Sequence, residues 1–214
     1  MAAKRIETKI FFLSLAAIVL PEVGTMVFIS QGLLSPTLTL GLARMLEVVL
    51  ILSVVSIWGK GISSIGLAPR QMVTGLRKGL IWSAVFGIVV LLGFVALYIR
   101  GVNPVTLIRT KLPASREGVF LFFLVGGLMA PVAEEVFFRG ILYGFLRRWG
   151  VLLALIGSTI MFVLAHAVSA GFPVTRVVGG ILFAVAYEVE GSLIVPITIH
   201  VLGNTAIFSL SLMV

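Results

Sequence analysis

The sequence predicts an all-α, polytopic transmembrane helical bundle of seven to eight spans, and three features carry that reading. First, the 214-residue chain is 60% hydrophobic and only 11% charged. Soluble domains hold about 45–50% apolar and about 25% charged residues, so a single water-facing core could not hide this surplus. Second, the apolar residues fall into runs of roughly 20, the length that crosses a hydrocarbon core about 30 Å thick. Third, most charges lie between the runs. Sixteen Lys and Arg against eight acids give a net charge of +8, but the cations form no stripe with interleaved aromatics. Membrane orientation and attraction to anionic lipid account for them, and a nucleic-acid partner is excluded.

Taken in order, residues 10–30 follow Lys4, Arg5 and Lys9. This run is too long for a signal-peptide core and lacks a clear cleavage site, so it reads as a span. Residues 37–58 form the second run, and residues 79–99, free of charge, form the third. Residues 118–146 are overlong and are expected to emerge from the membrane. Residues 151–168, 174–189 and 192–214 complete seven; the sixth is short, flanked by Arg176 and Glu188 and rich in Gly at Gly179 and Gly180. An eighth helix or re-entrant piece can be hidden in residues 102–116. With no internal repeat or soluble domain in view, residues 1–214 read as one membrane-embedded domain with its core at 118–208. An N-terminus in the cytoplasm puts ten basic residues inside and five outside, as the positive-inside rule prefers. The basic loop Arg100–Arg116 runs against that preference.

Ionisable side chains within spans cost several kcal/mol and mark candidate functional sites. Glu22, Arg44, Glu47, Glu134, Glu135, Arg139, His166 and His200 qualify. Arg44 and Glu47 are three apart and can neutralise each other; Glu22, after the helix-kinking Pro21, can join Arg44. Glu188 and Glu190 stand near a helix end and are expected to reach water. Glu135 and Arg139, at i and i+4, form an ion pair. Adjacent helical residues point about 100° apart, so Glu134 and Glu135 are not expected to share a partner. Glu134 is left without a local cation and needs a partner from another helix. Both histidines of the chain meet that need: His166 shares a helix face with Phe162, and His200 shares one with Asn204. Gly126, Gly127, Gly179 and Gly180 read as helix-packing positions rather than as a substrate groove.

Composition removes the competing chemistries. All eight acids are Glu, so a pair of catalytic aspartates is excluded, and with zero Cys there is no cysteine nucleophile. No Gly-x-Ser-Gly nucleophile stretch and no His-Glu-x-x-His zinc motif occurs. A carboxylate, two imidazoles and an amide remain, a set suited to hydrolysis of an amide by water, with a base for the water and donors for the oxyanion. A transporter with Glu134 in a proton relay is disfavoured, because no repeat or matched pair of broken helices is visible.

Glu134-Glu135-x-x-x-Arg139, Phe162-x-x-x-His166 and His200-x-x-x-Asn204, in that order on successive runs, resemble the signature of the CAAX-protease and bacteriocin-processing (CPBP, abortive-infection) family of intramembrane endopeptidases. The resemblance implies that Glu134 is the catalytic carboxylate, that His166 helps it activate water, and that His200 and Asn204 stabilise the oxyanion. Glu135, Arg139 and Phe162 are then supporting residues. It also implies a membrane-bound substrate, either a prenylated CAAX-type protein or a bacteriocin- or signal-like peptide. The alternative within the same fold is a non-catalytic membrane scaffold or bacteriocin-immunity protein. No cofactor is favoured, since Asn204 makes an oxyanion donor and no carboxylate is evident behind either histidine. The alternative is zinc, with Glu134, His166 and His200 as ligands and the fourth position open.

Overall fold

The computed structural model describes residues 5–32, 34–166 and 174–213. They form long helices with no strand among the described residues. We number these α1 (Thr8–Ser30), α2 (Pro36–Ile57), α3 (Met72–Ile99), α4 (Arg116–Trp149), α5 (Val151–Ala165), α6 (Val174–Glu190) and α7 (Ile194–Ser211). Each falls on one of the seven apolar runs. The stretches containing α1, α2, α3, α4 and α7 are long and apolar enough to cross a membrane, while α5 is shorter. The segment suspected of hiding an eighth helix holds only the tight turn Pro104–Leu107. Lys4, the last two residues of run 151–168 and Val214 lie outside the described residues.

Local chemistry sets the helix boundaries. Ser35 Oγ accepts from Leu38 N at 3.3 Å and Pro36 opens α2, a cap and a pre-set φ together. Within α1, Pro21 removes one backbone donor, and the Thr25 hydroxyl donates to the Pro21 carbonyl at 2.9 Å. Arg44 on α2 then clasps α1: it pairs with Glu22 and donates to Glu47 Oε2 at 2.6 Å. This gives Glu22 a partner one helix away.

The overlong α4 is continuous from Arg116 to Trp149, but it is not uniformly wound. Phe123–Met129 and Val136–Tyr143 are wide π-helical turns, and the α-helical turn Ala130–Glu135 sits between them. Such turns are rare and concentrate at functional sites. The larger core, with Ile51, Val55, Ile141, Tyr143, Tyr187 and Leu193, lies toward the end of the bundle where α2 and α4 terminate. A smaller one, with Phe138, Phe162, Phe183 and Ile199, surrounds the candidate site.

Glu188 and Glu190 do not simply reach water. Glu188 accepts from Arg147 Nε at 2.9 Å and Nη2 at 2.8 Å and from the Tyr143 hydroxyl at 2.9 Å. Glu190 accepts from Lys78 Nζ at 2.5 Å and Trp82 Nε1 at 3.0 Å. These cations come from the ends of α4 and α3, and a local view of one helix end could not supply them.

Helix α3 is the most lipid-facing element, with only Gly75 and Gly79 buried. A Cβ on Gly79 would stand 2.6 Å from Thr198 Cβ, and one on Gly75 would stand 2.7 Å from Ser192 Oγ. Close approach of α3 to α7 and the segment before it therefore requires small residues at these two positions. Gly79→Val should loosen this contact and cost about 1–3 kcal/mol, as overpacking does. The check is thermal unfolding of the purified variant in detergent, with Gly87→Val, whose Cβ meets nothing within 4 Å, expected to stay near wild type.

Candidate active site

The candidate site forms where the central turn of α4 meets the end of α5 and the middle of α7. Glu134 Oε1 lies 3.4 Å from His166 Nε2, and Glu134 Oε2 lies 3.7 Å from His200 Nε2. The Glu134 side chain is 15% exposed, His166 28% and His200 7%, so the site is sheltered and His166 is the most exposed of the three. Residues that the sequence separates by 32 and 66 positions thus converge on one carboxylate.

Each imidazole is aimed by its other nitrogen. His166 Nδ1 donates to the Phe162 carbonyl at 2.7 Å, the geometric content of the Phe162-x-x-x-His166 spacing. Its own carbonyl accepts from Arg176 Nη1 at 2.6 Å, which ties the end of α5 to α6. His200 Nδ1 lies 2.8 Å from Glu135 Oε1, which also accepts from Arg139 Nη1 at 2.8 Å. Two sequence expectations are corrected here. A carboxylate does stand behind one histidine, and Glu134 and Glu135 do share a partner. They can because an imidazole offers a nitrogen on each side, so side chains diverging by about 100° still meet opposite edges of one ring.

These partners assign the ring protons. A carbonyl and a carboxylate only accept, so Nδ1 carries the proton in both rings and a neutral ring presents a lone pair at Nε2. Two Nε2 lone pairs and a carboxylate then face one another, a set of acceptors that calls for a proton, a water or a cation between them. Glu134, Glu135 and Arg139 together carry one net negative charge in a buried place, which one imidazole proton would neutralise.

The support is aromatic. Arg139 is fully buried and donates to the Gly180 carbonyl at 3.2 Å. Its guanidinium lies 4.6 Å from the Phe162 ring centre and 5.1 Å from that of Phe183. Phe183 stacks on His200 at 4.5 Å, and Phe162 tilts against His166 at 4.7 Å. Phe183 is the supporting residue that sequence reasoning missed; its spacing to Gly180 and Gly179 was the available signal.

Asn204 is placed by Pro131. The Ala130 N–H bonds to Val125 O, five residues back. The same spacing would give Gly126 O the N–H of residue 131, which proline lacks. Asn204 Nδ2 donates to that freed carbonyl at 2.9 Å, leaving one amide hydrogen for another acceptor. Gly126 also borders an apolar cavity of about 290 Å³ that Thr25, Ile29 and Leu40 wall on the other side. A Cβ on Gly126 would meet Phe208 at 3.2 Å and one on Gly180 would meet Thr159 at 2.9 Å, so both also serve close packing.

The donor types suit zinc. Ligands about 2.1 Å from a tetrahedral zinc stand roughly 3.4 Å apart, close to the separations of Glu134 from the two histidines. Among the described residues, however, no three such donors close together to metal-binding distances.

Residues 116–206, from the start of α4 into α7, match the family model described as type II CAAX prenyl endopeptidase Rce1-like. No curated protein and no solved structure matches the chain. The match spans every motif residue from Glu134 to Asn204 and leaves α1 to α3 outside it.

Glu135→Gln should destabilise the fold by about 3–5 kcal/mol, because Arg139 stays buried without its counter-charge. Glu134→Gln removes a sheltered charge whose direct contacts among the described residues are the two histidines, and its unfolding temperature in detergent is expected to equal or exceed that of wild type. Equal unfolding temperatures for wild type and Glu135→Gln would contradict the structural role given to Glu135.

Proposed function

We propose, from the match of residues 116–206 to the type II CAAX prenyl endopeptidase Rce1-like model and from an integral membrane fold, that this protein is an intramembrane endopeptidase of the CPBP family. Its substrate would be a membrane-associated peptide, either a prenylated CAAX-type C-terminus or a bacteriocin- or signal-like segment. The observation that carries the reading is the meeting of Glu134 with His166 and His200 across three helices. Such groups are tolerated in a membrane chiefly where they work.

In this mechanism a water sits against Glu134 and His166 Nε2. Glu134 accepts its proton while the oxygen attacks the scissile carbonyl, and the proton then passes to the leaving amine. The developing oxyanion takes a hydrogen bond from the free amide hydrogen of Asn204 and from His200. For that role His200 must hold both ring protons, with Nδ1–H on Glu135 and Nε2–H on the oxyanion. The apolar cavity beside Gly126 supports an apolar or lipidated segment lying next to the Asn204 amide. If zinc is bound, Glu134, His166 and His200 would hold it, and it would supply polarisation of the carbonyl and a more acidic water.

Orientation follows from the same reading. Arg5, Lys60 and Arg148 line one cleft, so α1 starts and α2 and α4 finish at one end of the bundle. We assign that end to the cytoplasm.

The test is cleavage of paired prenylated and unmodified peptides by purified protein. Glu134→Ala and His166→Ala should lower the rate about 10²–10⁴-fold, and Asn204→Ala about 10²–10³-fold, with each variant still folded. Full activity in Glu134→Ala or His166→Ala would defeat the proposal. Metal analysis decides the cofactor: stoichiometric zinc whose removal abolishes cleavage and whose return restores it would establish a metalloenzyme.

A further inference from the structure

At the end of the bundle away from the candidate site lies an open cleft of about 390 Å³, lined by Arg5, Ile6, Glu7, Thr8, Lys60 and Arg148. Three cations against one carboxylate leave it a net charge of two positive, with Glu7 on Lys60 at 3.3 Å. One wall of the cleft is fixed. Arg148 is held in place: its Nη1 donates to Thr8 Oγ1 at 2.8 Å, its Nη2 to the Ile6 carbonyl at 2.7 Å and its Nε to the Phe145 carbonyl at 3.0 Å. Its guanidinium lies over the Phe145 ring at 4.1 Å. The Ile6 N–H in turn bonds to Gly144 O at 3.0 Å, and the Ile6 side chain is only 5% exposed. Ile6, just before α1, is thereby tied to the end of α4.

Two further features set the depth and the sign of the ligand. Trp58 and Trp149 adjoin Lys60 and Arg148 in sequence and are 51% and 58% exposed. Tryptophans in that situation sit at the headgroup level of a bilayer. At the same place α1 starts without any side-chain cap, so its first N–H groups and the positive end of its dipole favour an anion. An open basic cleft with one fixed arginine, at headgroup depth, has the chemistry of a phosphate receptor.

We propose that this cleft binds the phosphate of an anionic glycerophospholipid, with Arg5 and Lys60 as the selecting cations and Arg148 as the fixed wall. The bound lipid clamps the N-terminal segment onto the end of α4, the helix that carries Glu134. The inference does not depend on the endopeptidase reading.

The experiment uses the full chain in nanodiscs of phosphatidylcholine mixed with phosphatidylglycerol, with retained lipids counted by native mass spectrometry after gentle release. Phosphatidylglycerol should be retained preferentially over phosphatidylcholine. The double variant Arg5→Gln with Lys60→Gln, whose cations lie at the protein surface, should lower that preference by about fivefold for each cation removed. Inorganic phosphate added as competitor should leave retention unchanged, since it brings no acyl chains to hold it at that depth. Should the double variant fail to fold, raising the salt on the order of tenfold must release the lipid from the wild type, because the cleft is open to screening. Equal retention of the two lipids, an unchanged preference in a folded double variant, displacement by inorganic phosphate or insensitivity to salt would each overturn the proposal.

Discussion

The Glu135 carboxylate is the constraint on which the site depends. It is fully buried, and one of its oxygens receives both Arg139 Nη1 and His200 Nδ1 at 2.8 Å. A charge so placed is tolerable only with partners of this quality, and once paired it dictates where they lie. Through Arg139 it holds the Gly180 carbonyl of α6 and the ring of Phe162 on α5. Through His200 it holds α7. One side chain on α4 thus joins three other helices, and the same bonds turn His200 Nε2 toward Glu134.

The two neighbouring glutamates divide the labour through burial. Glu135 spends its charge on structure and shows no exposure, whereas Glu134 faces two histidines and keeps 15% of its side chain open. The backbone cooperates with that division. A π-helical turn on either side rotates the short α-helical turn Ala130–Glu135 against the rest of α4, and the proline at its start frees one carbonyl for Asn204. The irregular winding of the helix and the polar groups of the site are consequences of one local sequence, Gly126 to Arg139.

Much of this was legible in the sequence for a physical reason: in a membrane, run length sets the helices and polar residues stand out against an apolar background. The seven helices fall on the seven runs, and the Glu135–Arg139 pair and the meeting of Glu134 with both histidines follow from spacing and scarcity. What escaped were relations needing three dimensions. That His200 serves two carboxylates depends on the ring lying between them, which no spacing rule contains. Glu188 and Glu190 read as solvated because their cations, Arg147 and Lys78, are remote in sequence. The freed carbonyl of Gly126 was signalled by Pro131, but only the π-helical register identifies which carbonyl loses its donor.

The division between α1 to α3 and the remainder carries a last consequence for the proposed reaction. The reacting groups all lie within residues 116–206, where the family match falls. The cavity beside Gly126, however, is lined on its other side by Thr25, Ile29 and Leu40 of α1 and α2. Those two helices are held together by Arg44 between Glu22 and Glu47, a cluster outside the matched segment. The chemistry and the wall that an apolar substrate group would meet therefore come from different parts of the chain, joined at Gly126, which anchors Asn204 through its carbonyl and also lines the cavity. A change in α1 or α2 can alter which apolar group fits without touching a group that moves a proton, and the interhelical ion cluster holds that wall in register.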